Sequence, residues 1–199
     1  TQISANLDTL QGLGSLLNQI TQTDANNPIA VRMRQLSSAS DALGKMTGYS
    51  LTVLDATAQD AQTLLGNDYS KVTGLAVVDT SANIAANWNA LSANAKLNSI
   101  TQTGSAHSIS LSKTQRDDNA STLAKMTGSY SLTITDATTS DVSTLLNDAL
   151  VTGIFVNDTT SNVVSNLDLL QAAGSKLRGI TLDADNSDLS MSYTQWVSN

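Results

Sequence analysis

The apolar residues of this chain follow two alternating rhythms. Ile84, Trp88 and Leu91 stand at i, i+4 and i+7, as do Ile3, Leu7 and Leu10 near the start and Val163, Leu167 and Leu170 farther on. That spacing lays each trio along one stripe of a helix. Ala61, Leu64 and Leu65, and likewise Val142, Leu145 and Leu146, stand at i, i+3 and i+4 and predict two shorter helices, which need neighbours to persist. Between these lie short segments with period-two alternation or β-branched enrichment. They predict strands over Ser50–Leu54, Gly74–Val78, Ser99–Thr103, Ser108–Leu111, Ser131–Thr135, Gly153–Val156, Gly179–Leu182 and Leu189–Tyr193.

The predicted order is strand, helix, strand, helix, strand, strand, helix, and then the same again. Strands that alternate with helices argue for largely parallel pairing through right-handed crossovers. The link from Thr103 to His107 is too short for a helix, so the strands on either side of it form a hairpin or a tight arch.

The order also repeats at the level of residues. The block from Asp79 through Ile84 and Trp88 to Leu91 recurs from Asp158 through Val163 and Leu167 to Leu170, and the chain opens on Ile3 to Leu10 of the same pattern. The following strands centre on Ile20, Ile100 and Ile180, two steps of 80. Ala42 to Gly48 matches Thr122 to Gly128, sharing Leu, Lys-Met-Thr and Gly, at the same step of 80. Units of this kind bury their apolar faces by stacking. The expected fold is α/β, an elongated solenoid of tandem strand and helix repeats with largely parallel strands. It forms one continuous array over 1–199, with a partial unit 1–78, a unit 79–157 and a partial unit 158–199, cut from a longer protein. The alternative is two compact α/β domains.

A half-repeat lies inside each unit, where a strand ends in Asp and passes through Thr or Ser into a helix, at Asp55, Asp79, Asp136 and Asp158. Carboxylates and hydroxyls there can accept from the free amides of a first helical turn, so these four read as structural caps. Asn6, Asn87 and Asn166 align just before the core position of each helix and read as a structural Asn row that satisfies backbone groups from one coil to the next. Trp88 aligns with Leu7 and Leu167, which makes it a core residue.

These signatures resemble the long repetitive secreted and surface proteins of Gram-negative bacteria, adhesin-like arrays in which a strand runs into an Asp-Thr helix start and on to a Leu-rich helix end and an Ile-Thr strand. Here they stand at Asp79 to Leu91 with Asn98 to Thr103, and at Asp158 to Leu170 with Gly179 to Asp183. The resemblance implies export and a role at the cell surface or in a biofilm matrix.

Composition narrows the chemistry. Hydrophobic residues make up 40% and aromatics 4%, so thin layers of Leu, Ile, Val and Ala must form the core. The 17 acidic residues are all Asp, and with 10 Lys plus Arg the net charge is -7, which argues against binding nucleic acid or anionic membrane. Cysteine is absent, removing disulfides, thiolate metal sites and Cys nucleophiles together. No apolar run is long enough to span a bilayer, and membrane insertion is not expected.

The single histidine, His107, has no histidine counterpart in the other copies, and no Gly-x-Ser-x-Gly accompanies it. Asp183, Asp185 and Asp188 place oxygen ligands in one turn, as calcium requires, but without the Gly and Glu of an EF-hand loop. No Glu stands ready for a glycosidase pair. Thr21 with Thr23 and Thr101 with Thr103 suggest a flat Thr row, which breaks at Asp183. No catalytic residue and no resident cofactor is therefore expected, calcium at the Asp183 turn being the one candidate. The expected role is structural and adhesive, with neighbouring repeats, further copies, glycans or host and abiotic surfaces as partners. The alternatives are a glycan- or calcium-binding module and, less favoured, a hydrolase fragment.

Overall fold

The computed structural model describes residues 2–24, 27–65, 69–104, 107–183 and 188–198. Among these, the strands are β1 (Ile29–Val31), β2 (Leu51–Ala56), β3 (Val72–Thr80), β4 (Leu97–Thr103), β5 (Ile109–Leu111), β6 (Met126–Thr127), β7 (Leu132–Ala137), β8 (Val151–Asp158) and β9 (Leu177–Leu182). The protein is α/β, with two sheets in which every named pairing is parallel.

Contacts group the chain into two compact units. The first comprises Thr1–Thr103 with Ala124–Gly128, and the second Gly104–Leu123 with Ser129–Asn199. The first holds the sheet β1-β2-β3-β4-β6 and the second the sheet β5-β7-β8-β9. Strand by strand, β1 to β4 recur as β5, β7, β8 and β9, with first residues at 29 and 109, 51 and 132, 72 and 151, 97 and 177. β4 and β5, on either side of the short link, belong to different sheets. The hairpin reading is thus excluded.

Each sheet buries one face. In β2, Leu51 and Val53 are buried while Leu54 is 48% exposed, and β7 repeats the alternation with Leu132 and Ile134 buried beside exposed Thr135. Parallel sheets covered on both sides read as unbroken apolar runs. The polar alternation here marks sheets covered on one side only. The buried face of the first unit meets Ile84, Trp88 and Leu91, all fully buried, and Trp88 occupies the core position expected of it. In the second unit Val163 and Leu170 are buried with Val142 and Leu145.

Three expectations need correction. Two of the three long helical stripes are broken: Ser81–Ala86 and Trp88–Ala93 meet at Asn87, and Thr160–Ser165 and Leu167–Ala172 meet at Asn166, at φ of -107° and -119°, whereas Ile3, Leu7 and Leu10 lie on the unbroken helix Gln2–Gly12. Leu189–Tyr193 forms no strand. No described strand lies alongside it, and a helix Tyr193–Ser198 starts instead, where Ser192 and Gln195 cap each other. Ile20, expected at the centre of a strand, forms only an isolated bridge to Met46, and the short strands β1 and β6 were not anticipated because two or three residues carry too little alternation to be read.

Two glycines are set by close approach. A Cβ on Gly153 would lie 2.8 Å from Thr133 Oγ1, and one on Gly74 would lie 2.7 Å from Thr52 Oγ1. Both positions face a Thr on the adjacent parallel strand. Gly153→Ala should therefore destabilise the protein by ~1–3 kcal/mol. In chemical denaturation Thr133→Ala should recover most of that loss in the double variant, since it removes the obstructing atoms.

Candidate functional site

The recurring polar feature of the chain is a set of carboxylates at the ends of strands. Parallel register places each beside the turn where the neighbouring strand ends. The ladder pairs Ala56 with Val77 and Ala137 with Val156, so residues 79 and 158 stand beside residues 58 and 139. Asp79 accepts from the Ala58 amide at 2.8 Å through one oxygen, and through the other from the Thr80 amide and the Asn83 side chain. Asp158 repeats this, accepting from the Thr139 amide at 2.9 Å and its hydroxyl at 2.8 Å, and from the Thr159 amide and the Asn162 side chain. Asp55 and Asp136 accept from the amides of Met33 and Lys113.

Each of the four thus reaches back one strand, to the turn of the preceding layer, about twenty residues earlier in sequence. The hydroxyl caps belong to their neighbours: Thr80 accepts from the Asn83 amide, Thr159 from the Asn162 amide, and Ser112 from the Gln115 amide. The physical reason is reach. In a parallel ladder the carboxylate stands nearer the adjacent turn than the third residue of its own helix. Asp79 and Asp158 serve both layers, with one oxygen on the preceding turn and the other on their own.

Asp79 and Asp158 are only 8% and 6% exposed. Burial works to raise the pKa of Asp158. The Asn162 side chain, both Thr139 donors and the Thr159 amide together outweigh it, lowering the value from 3.8 to about 2. Asp79 is lowered in the same way, with burial opposed by Ala58, Asn83 and Thr80.

The Asn row acts within its own helix. Asn6, Asn87 and Asn166 donate to the carbonyls of Gln2, Asn83 and Asn162, four residues back, and Asn166 also meets the Thr139 hydroxyl at 3.4 Å. In Asn87 and Asn166 the helix bends where this bond forms. The coil-to-coil ladder is therefore replaced by a bond within each helix, with a kink at Asn87 and Asn166 but not at Asn6, and among the described residues one cross-layer contact, from Asn166.

Asp183 and Asp188 are exposed, Asp185 lies outside the described residues, and no group of three or more acidic or His residues is placed to hold a metal among the described residues. His107 is exposed, in the link between β4 and β5.

Two features were not anticipated from the sequence. Lys96 donates to the carbonyls of Leu64 and Tyr69, and Lys176, 80 residues on, to those of Leu146 and Asp148, so each anchors the end of a short helix in the preceding layer. The recurrence at 96 and 176 was available as a signal, though position 16 is Leu. The second is a cleft of about 240 Å³ bordered by Leu36, Tyr49, Leu51, Tyr69 and Lys71, with the Lys71 ammonium 5.5 Å from the Tyr49 ring centre. Burial raises the Tyr49 pKa. The cleft has no counterpart of this make-up in the second unit's sequence, where Tyr130 is the matching ring but Leu150 stands near the position of Lys71.

Comparison with protein-family models, curated proteins and solved structures found no match to this chain.

Because Asp158 is more acidic folded than unfolded, the unfolded chain binds the extra proton between the two values. The stability this group supplies is present above pH ~4 and is lost as pH falls towards about 2. Asp158→Asn should flatten that part of the acid-melting curve. Asp158→Ala should cost ~2–4 kcal/mol in denaturant unfolding at pH 7, since it strands buried amides of two turns.

Proposed function

We propose that the chain is a non-catalytic structural and adhesive segment of a secreted or cell-surface bacterial protein, in which strand and helix layers stack as an elongated solenoid. The observation that carries this reading is what recurs. The carboxylates of Asp79 and Asp158 and the lysines 96 and 176 reappear from copy to copy, and each ties one layer to the next, while the recurring Thr80 and Thr159 cap their own helices. No chemical group that could act on a substrate recurs beside them. No helix among the described residues is long and apolar enough to cross a membrane.

Such a segment provides length and a broad exposed face rich in Thr, Ser and Asn. Adhesion then comes from many weak contacts, to glycans or to host and abiotic surfaces, with avidity set by the number of copies engaged. The same one-sided sheets suit a biofilm matrix or surface layer.

Small-angle scattering of the purified chain tests the architecture. A compact 199-residue domain has a radius of gyration of about 16 Å, and stacked layers should give a clearly larger value with a constant cross-section. A value at the compact limit would remove the solenoid. For adhesion, beads coated with the chain should be retained on glycan and abiotic surfaces, and retention should collapse as the coating is diluted. Loss in simple proportion to density would count against multivalent contact. Millimolar calcium should leave the melting midpoint unchanged, and a clear rise would transfer the reading to the Asp183 turn.

A further inference from the structure

The polar groups around the cleft at Tyr49 do not serve the frame. The hydroxyls of Ser40, Tyr49 and Tyr69 and the ammonium of Lys71 border it, beside Leu36 and the buried Leu51. Among the described residues none of these four groups has a hydrogen bond or an ion pair with the protein, and Lys71 meets only the Tyr49 ring. Lys96 and Lys176, by contrast, each hold two carbonyls. A cation over a ring face is attracted to it, which keeps the two in a fixed relation.

The second copy fills the same place differently. Tyr130 matches Tyr49, but Arg116 stands where Leu36 does, and Asp148, three residues before Val151, stands where Tyr69 does before Val72. Arg116 pairs with Asp148. Burial and then the Asp148 charge raise the Tyr130 pKa, which puts the ion pair beside that ring. Six residues separate Leu65 from Val72 and four separate Leu146 from Val151, and the longer link carries Tyr69 and Lys71. The frame therefore does not require the cleft. Exposure on this face also persists with a copy ahead of it: Ala120 and Ala124, which match Ser40 and Gly44, are exposed as those two are.

We propose that this cleft binds a single sugar ring that carries a carboxylate, a uronic acid residue of a glycan. Lys71 pairs with the carboxylate, Tyr49 and Tyr69 supply ring contact and hydroxyls, and Ser40 supplies a further hydroxyl. Tyrosine suits this work because it offers a rigid apolar face and a polar tip at little entropic cost. Size limits the occupant: about 240 Å³ lies below the ~300–1,000 Å³ typical of sites for larger ligands, so one ring fits and a chain must run outward. A fatty or simple carboxylic acid would leave the hydroxyls unused. The inference rests on the adhesive reading for the use of the site, and on the cleft alone for its chemistry.

Amide and aromatic NMR of the full 199-residue chain, titrated with methyl β-glucuronide, should give saturable shifts at Tyr49, Tyr69 and Lys71 with millimolar affinity. Methyl β-glucoside, the same ring without the charge, should bind about tenfold more weakly, and acetate at equal concentration should not compete. Lys71→Leu, which installs the residue of the other copy, should bring glucuronide binding down to the glucoside level. Tyr69→Ala should abolish the saturable shifts, and both variants should keep the melting curve in place. Absence of saturable shifts across the millimolar range would overturn the proposal. So would equal binding of glucoside and glucuronide, or the same shifts with acetate, which would mean simple anion pairing at a surface lysine. Glucuronide binding without bead retention on glycan surfaces sinks the adhesive reading alone, whereas retention that survives Lys71→Leu, with no glucuronide binding, sinks this site alone.

Discussion

A parallel ladder brings the ends of neighbouring strands side by side, and each end must turn into a helix with unsatisfied backbone amides. Everything else in this chain depends on how those amides are satisfied. Here the donors at one turn are met by the carboxylate of the next layer, at Asp55, Asp79, Asp136 and Asp158. The residue that ends one strand therefore completes the turn of another, so a layer is finished only when its successor is in place. Lys96 and Lys176 apply the same rule at the opposite helix end, where carbonyls need donors. Layers built this way are too thin to be stable singly, yet a core with very few rings suffices once they are joined.

This dependence explains which parts of the fold could be read in advance. Strands and helices with an apolar stripe were legible because Leu51, Val53, Leu75 and Val77 alternate, and because Ile84, Trp88 and Leu91 keep helical spacing. The 80-residue recurrence gave the strand-for-strand match between the two units. The direction of the Asp bonds was not legible, since a residue before a helix looks like its cap whichever turn it serves. Only the parallel register, with Ala56 opposite Val77, decides it. The break at Asn87 was hidden for a related reason, because i, i+4, i+7 spacing survives a single kinked residue. Leu189–Tyr193 has the alternation of a strand but no neighbour to pair with, and pairing is a property of two segments.

The polar sites divide along the same line. Groups that recur serve the joints between layers, and residues without a counterpart of the same type in the other copies, His107, Asp183 and Asp188, lie exposed. The cleft at Tyr49 and Tyr69 is confined to one copy. A ring pair and a lysine reached one unit without altering the frame, so copies can diverge locally.

The one-sided sheets have a wider consequence. Between the two copies the buried positions change conservatively, Leu51 to Leu132, Val53 to Ile134, Leu75 to Ile154, Val77 to Val156, and the changes of character fall on more exposed positions, Leu54 to Thr135, Ala76 to Phe155, Val78 to Asn157, beside exposed ones that are kept, Thr73 as Thr152 and Thr101 as Thr181. Packing thus holds the buried surface fixed between the two copies, and the changes of character fall on the surface it leaves free.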